Sequence, residues 1–403
     1  MSSHSLHLPA AAMASRTSEL EDPTPTPPHA STIHYDILFR IFEVLTELKG
    51  IYVSSRVARW RSTNLDVLTK CALVCKNWSY PAQHILLRSI RFTKPAQAIK
   101  FGRLVKDSPD LAARVHSLAF EEANYRKRPV LEILSACLNV RRLFLGTISC
   151  CQGAQLAIAV RALAQLHTFH YEYFSQHHSG LNPSEFTTII SIPTLRFLSI
   201  DPHWSSRENF NIPQVHITPN PNLQRFHFSI TPMPAKFLTA LFASISGSLT
   251  FLSIAFQTNL DHSEIAGFDA LGDLATTVRS LDWSTIDSTV PTPLETILHQ
   301  LKNIQNLTIS ASHTNLSSSE LAEVLPCSVR RLRWIDRAGQ ISTLKDLPGR
   351  LNSGSRLEYF ELVSLISPEV DDATKASFGR IGCEVVLGDV EGFQTKYIGD
   401  DWL

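Results

Sequence analysis

A short pattern, apolar-x-x-apolar-x-apolar, recurs along most of this chain and constrains its fold more than any other feature. It starts at Val115, Val140, Leu166, Leu195, Leu223, Leu249, Val278, Ile304, Val329 and Leu357, at intervals of 25 to 29 residues. Alternation within each unit is the period of a β-strand with one buried face. The stretches between read as helices: 129–138, 234–245, 293–301 and 317–325 carry apolar residues at helical spacing. Pro or Ser opens each of these, where a missing amide costs little or a hydroxyl caps the first turn. One strand and one helix cannot bury both apolar faces alone, so neighbouring units have to stack. Residues 383–387 supply a final, capping strand.

This period resembles the leucine-rich repeat. The resemblance implies an α/β fold over residues 96–403, an irregular right-handed horseshoe with a parallel sheet on its concave face. It is irregular because the Asn that usually follows the strand is missing; Asp201, Ser229, Ser284 and Ser310 fill nearby polar positions only sporadically. By alternation, the third, fifth and seventh positions of each unit face the concave surface. Exposed aromatics and Arg are the residue types that concentrate binding energy in interfaces. Phe144, His170, Phe197, His227 and Phe251 form the candidate target patch, with Arg331 and Arg333 as attractors for an acidic partner.

Ahead of the repeats, residues 1–30 are rich in Ser, Thr, Pro and Ala and read as a disordered tail. From Ser31 the pattern changes. Ile33, Ile37, Ile41, Val44, Leu45 and Leu48 recur at helical spacing, with Leu38 and Phe42 widening the stripe. Ser31 or Thr32 offers an N-cap oxygen, Asp36 suits the positive end of the helix, and Gly50 ends it. A second helix is predicted from Thr63 or Asn64 to Trp78, and a third segment from Pro81 to near Phe92. Residues 31–95 therefore read as a helical module.

Within that module, residues 33–43 and 68–79 resemble the F-box. Ile33 stands for the family's leading Leu, Asp36 for its Glu, Ile41 and Phe42 for its Ile-Phe pair, and Val74-Cys75-Lys76-Asn77-Trp78 for its second motif. His34 replaces the family's Pro, and a longer link separates the first two helices. The resemblance implies docking to the adaptor subunit of a cullin-RING (SCF-type) ubiquitin ligase, and identifies a fungal-type substrate receptor, monomeric outside the complex. Carried over by position, the adaptor-binding residues are Ile33, Ile37, Leu38, Ile41, Leu45, Val74 and Trp78, some of which also close the module's own core. The alternative is a repeat scaffold that binds proteins independently of a ligase.

Lys+Arg and Asp+Glu both number 37, so no global field draws the chain to nucleic acid or an anionic membrane. The chain has no uninterrupted run of about 18 apolar residues, so no membrane-spanning helix is expected. Seven cysteines in 403 residues are too few for a disulfide framework and read as reduced thiols of a cytoplasmic or nuclear protein. No phosphate-cradling Gly loop, HExxH or G-x-S-x-G is present, and the 16 histidines are scattered. The expectation is a chain that is not an enzyme and has no catalytic residue, cofactor or metal.

Overall fold

The computed structural model describes residues 33–46, 65–120, 127–146, 153–172, 181–201, 217–230, 235–256, 271–285, 294–311, 318–336, 346–351, 356–364 and 372–389. The expected N-terminal tail, Gly50 and most of the long link between the first two helices lie outside these residues.

Three helices come first: α1 (Tyr35–Thr46), α2 (Leu65–Cys71) and α3 (Lys76–Arg88). Leu38, Phe42, Leu68, Ala82 and Ile85 are buried among them, and Trp78 and Leu86 pack against this cluster. The periodicity that predicts one helix up to Trp78 is interrupted by a turn at 72–75, and α3 then runs through a buried Pro81. A Pro inside a helix removes one backbone bond. Burial of Pro81, Ala82 and Ile85 on one face offsets that loss, which the sequence alone does not reveal.

The remaining elements are β1 (Ser89–Phe92), α4 (Pro95–Asp107), α5 (Pro109–Arg114), β2 (Ser117–Phe120), α6 (Lys127–Ala136), β3 (Arg142–Leu145), α7 (Gly153–Arg161), β4 (Thr168–Glu172), α8 (Pro183–Ile190), β5 (Phe197–Asp201), β6 (Arg225–Ile230), α9 (Ala235–Ile245), β7 (Phe251–Phe256), β8 (Ser280–Thr285), α10 (Leu294–Gln300), β9 (Asn306–Ala311), α11 (Ser318–Val324), β10 (Arg331–Asp336), α12 (Leu347–Arg350), β11 (Tyr359–Ser364), α13 (Asp372–Arg380) and β12 (Glu384–Asp389). Among the described residues the strands form one sheet of 12, in sequence order and parallel throughout. A parallel sheet whose spatial order equals its chain order is a repeat solenoid, because each strand must return beside its predecessor through a crossover on one face.

The sheet begins earlier than the repeat pattern. β1 lies in the segment assigned to the helical module and pairs with β2 from Ser89 opposite Ser117 to Phe92 opposite Phe120. Phe92 is buried in the large core, 4.9 Å from the Phe120 ring centroid. Helix α3 thus leads directly into the sheet.

Register stacks equivalent positions in rows. The fourth positions, from Leu118 to Leu143, Phe169, Leu198 and Phe226, are all buried and meet the helices in one continuous core. Each such side chain contributes about 2 kcal/mol by leaving water. At the start of α7, a methyl at Gly153 would overlap the Glu185 carboxylate, so a larger residue there requires that carboxylate to move. That carboxylate accepts a bond from the Asn182 amide at 2.7 Å, closing the capping box of α8, and one from the Ala154 amide of α7.

Polar side chains tie successive units together along the edge where the strands begin. The residue just before the first apolar position repeatedly donates to a backbone carbonyl of the preceding unit. Asn139 donates to Ala113 O, Thr194 to Leu166 O, Asn222 to Pro193 O, Ser248 to Leu223 O, Asn303 to Ala275 O and Ser328 to Lys302 O, at 2.6 to 2.9 Å. Asn220, 1% exposed, also reaches Ile190 O at 2.9 Å and Ile192 O at 3.0 Å. The repeats lack the usual Asn after the strand, and this series before the strand satisfies carbonyls that a packed loop would otherwise bury unpaired.

Candidate functional site

Helix α1 separates its apolar residues into two stripes. Leu38 and Phe42 face the module's core at 1% exposure each, whereas Ile37, Ile41 and Val44 are 55%, 45% and 70% exposed. Spacings of four and three residues place these last three on one face of the helix. In the turn between α2 and α3, Leu73 and Val74 are 82% and 57% exposed. The basis of this separation is the packing of α3. Trp78 lies edge-on to Phe42 at 5.8 Å, Arg88 Nη1 donates to Glu43 Oε1 at 2.5 Å, and the Arg88 guanidinium sits 4.6 Å from the Phe39 ring centroid.

Of the residues carried over as adaptor-binding, Ile37, Ile41 and Val74 are exposed. Leu38 is buried in the core, and Ile33 and Trp78 pack against that core half-buried. Leu38 therefore corrects the sequence assignment: a residue one step from Ile37 points about 100° away around the helix. Leu45 belongs to α1, but its side chain lies outside the described part. Val44 and Leu73 are exposed apolar residues that sequence matching to the family's motifs passes over; exposure alone identifies them.

The face of the sheet turned away from the helices carries the third and fifth positions. Fifth positions form a row in which Phe144 stacks on His170, with centroids 4.7 Å apart and planes at 8°. Further along, Ser253 Oγ lies 2.7 Å from His227 Nδ1 and donates to Asp282 Oδ2 at 3.3 Å. At its far end Arg333 Nε donates to Glu361 Oε2 at 2.9 Å. Burial holds His170 and His227 neutral, with both imidazoles pushed down to about 3, and His170 adds to the effect on His227. Burial also lowers the pKa of Arg333, against the opposing pull of Glu361 and Asp282.

This row corrects the expectation of an exposed patch. Phe144, His170, His227 and Arg333 are 4%, 7%, 5% and 7% exposed. Phe197 and Phe251, at the third position, are half-buried, and Arg331 is exposed. Alternation predicts which face a side chain takes, but not whether neighbours on that face cover it; rows about 4.8 Å apart leave little room between large side chains.

Among the described residues, no group of three or more His, Cys, Asp or Glu is placed to hold a metal ion. No described helix is long and apolar enough to cross a membrane.

No protein-family model and no curated protein sequence matches the chain. Among solved structures, it is similar to a protein from Bacteroides fragilis, with TM-score 0.37 and 12% identity over 74% of this chain and 84% of that one. It is also similar to a chain in the crystal structure of the yeast Rad7 and Elc1 complex, with TM-score 0.42 and 14% identity over 86% of this chain and 85% of that one. Both likenesses are loose, and the repeat-solenoid assignment rests on the sheet topology itself.

Proposed function

We propose that this chain is the substrate-recruiting subunit of a cullin-RING ubiquitin ligase, a fungal-type F-box protein working in the cytoplasm or nucleus. In this reading the N-terminal helices dock to the ligase adaptor and the solenoid holds a protein target. Ubiquitin transfer then gains from proximity, and the chain carries no catalytic residue of its own.

The observation that carries the reading is the exposed stripe Ile37, Ile41 and Val44 beside Leu73 and Val74. Docking of a helical surface to a partner needs apolar anchors at this spacing. The module buries a core of its own beneath the stripe, so these residues are not required to hold it together.

The test is a pull-down and binding titration of the full chain against the ligase adaptor, comparing wild type with Ile41→Asp and Ile37→Asp. Circular dichroism checks that all three fold. Binding by wild type that is lost in the folded variants supports the receptor role. Absence of binding by wild type would sink it.

A further inference from the structure

Because the strands are parallel and successive, the segments leading into them all lie along one edge of the sheet. From β2 to β10 these are residues 111–117, 138–142, 162–168, 191–197, 218–225, 246–251, 275–280, 301–306 and 326–331. Together they hold nine Lys or Arg and no Asp or Glu, in a chain whose two totals are 37 and 37. A chain of zero net charge thus has a cationic run along this edge from β2 to β10, which ends where Glu358 precedes β11 and Glu384 begins β12.

The backbone fixes this edge as a continuous row. Arg141 N donates to His116 O, His167 N to Arg141 O, Arg196 N to His167 O, and the series continues through Gln224, Thr250, Arg279 and Gln305 to Arg330, at 2.7 to 2.9 Å. Arg141, Arg196, Arg279 and Arg330 are all exposed, as is Arg331 beside them. Arg141 bonds the neutral Gln165 at 3.2 Å, and Arg330 meets Glu358 at 3.7 Å where the run ends. Burial foremost, and after it the charges of Arg141, Arg88 and His84, lower the pKa of His116.

Helix C-termini also lie on this side and favour cations, but their field fades within the last turn. Arg196 lies six residues beyond the end of α8 at Ile190, so the dipole does not account for it. Strands stand about 4.8 Å apart. Arg141, Arg196 and Arg279, before β3, β5 and β8, and Arg331, the first residue of β10, are therefore spaced by about 10, 14 and 10 Å. In an extended peptide the side chains of one face recur every second residue, so carboxylates two or four residues apart are spaced by about 7 and 13 Å, a range that long, flexible Arg side chains can follow. Phe197, which follows Arg196 into β5, and Phe251, on β7 between Arg196 and Arg279, are half-buried at the third position and offer apolar contact.

We propose that this edge binds an extended acidic segment of a partner protein, with its carboxylates bonded to Arg141, Arg196, Arg279 and Arg331 and its intervening side chains on Phe197 and Phe251. The proposal rests on the target-binding half of the function above and is independent of adaptor docking. It moves the target surface from the buried fifth-position row to the exposed edge.

Fluorescence anisotropy of the full-length protein tests this with two labelled probes: a peptide of Ser with Glu at every second position, which puts all its carboxylates on one face, and oligothymidylate. The peptide is expected to bind, to weaken as salt is raised past the point where the screening length falls below about 10 Å, and to lose about tenfold in affinity in Arg196→Glu/Arg279→Glu. Lys236→Glu, an exposed change on α9, is the control and should change affinity less than about twofold. Circular dichroism establishes that both variants fold. Equal peptide binding by wild type and the double variant, or tighter binding of oligothymidylate than of peptide, overturns the proposal. Failure to capture the adaptor, with peptide binding intact, removes only the adaptor reading.

Discussion

Acid should destabilise this solenoid through two particular histidines. His170 and His227 are buried on one row, and burial lowers both imidazoles to about 3. In the unfolded chain each takes up a proton near pH 6.5. Since the folded pKa lies below the unfolded one, the stability they support is complete above pH 6.5 and drains away as pH falls towards 3. At pH 5 the loss is about 2 kcal/mol for each histidine and about 4 kcal/mol for the pair. This figure is insensitive to the folded value, because any folded pKa well below 5 gives the same result. Urea unfolding followed by circular dichroism at pH 7.5 and 5.0 measures it, comparing wild type with His170→Gln/His227→Gln. The comparison cancels other groups that titrate in this interval, such as Glu185, which burial raises, and His84 and His116, which burial lowers. Wild type is expected to lose about 4 kcal/mol more than the variant between the two pH values. An equal loss in both proteins would refute the reasoning.

Two further perturbations address buried polar contacts. The Arg333–Glu361 pair has side chains 8% and 0% exposed; Glu361→Gln is expected to cost about 3 to 5 kcal/mol in chemical denaturation, whereas Arg333→Met/Glu361→Leu should come out near neutral. Asn220 bonds three backbone groups at 2.9 to 3.0 Å, through Ile190 O, Ile192 O and the Asn222 amide. Asn220→Ala should therefore cost about 2 to 3 kcal/mol against about 1 kcal/mol for Asn222→Ala, and equal midpoint shifts would show that the extra bonds contribute nothing.

The strands were readable because their chemistry is local. An apolar side chain two residues after another needs only the pleat to place both on one face, so Leu118 and Phe120, or Leu332 and Trp334, announce buried positions without knowledge of neighbours. The same argument failed at Ser89 to Phe92, where β1 lies directly after a helix and the pattern is too short to separate from it. It failed again at Pro81, where propensity predicts a helix start and packing decides otherwise. The ladder from Asn139 to Ser328 was missed for a different reason. Its donors are of three residue types, Asn, Ser and Thr, and only their shared position before the strand relates them.

By itself the sequence determined the period, the parallel strands and the stacking of units, since one repeat cannot bury its own apolar faces. It also contained the charge segregation, although that meaning emerges only when the strand starts are aligned along one edge. Tertiary structure alone decided which of these residues meet solvent. Ile37 and Leu38 are adjacent and equally apolar, yet one is 55% exposed and the other 1%. Phe144 and His227 face away from the helices and are buried all the same, whereas Arg196 is exposed. Exposure depends on what surrounding elements cover, and a side chain's own identity and spacing do not contain that information.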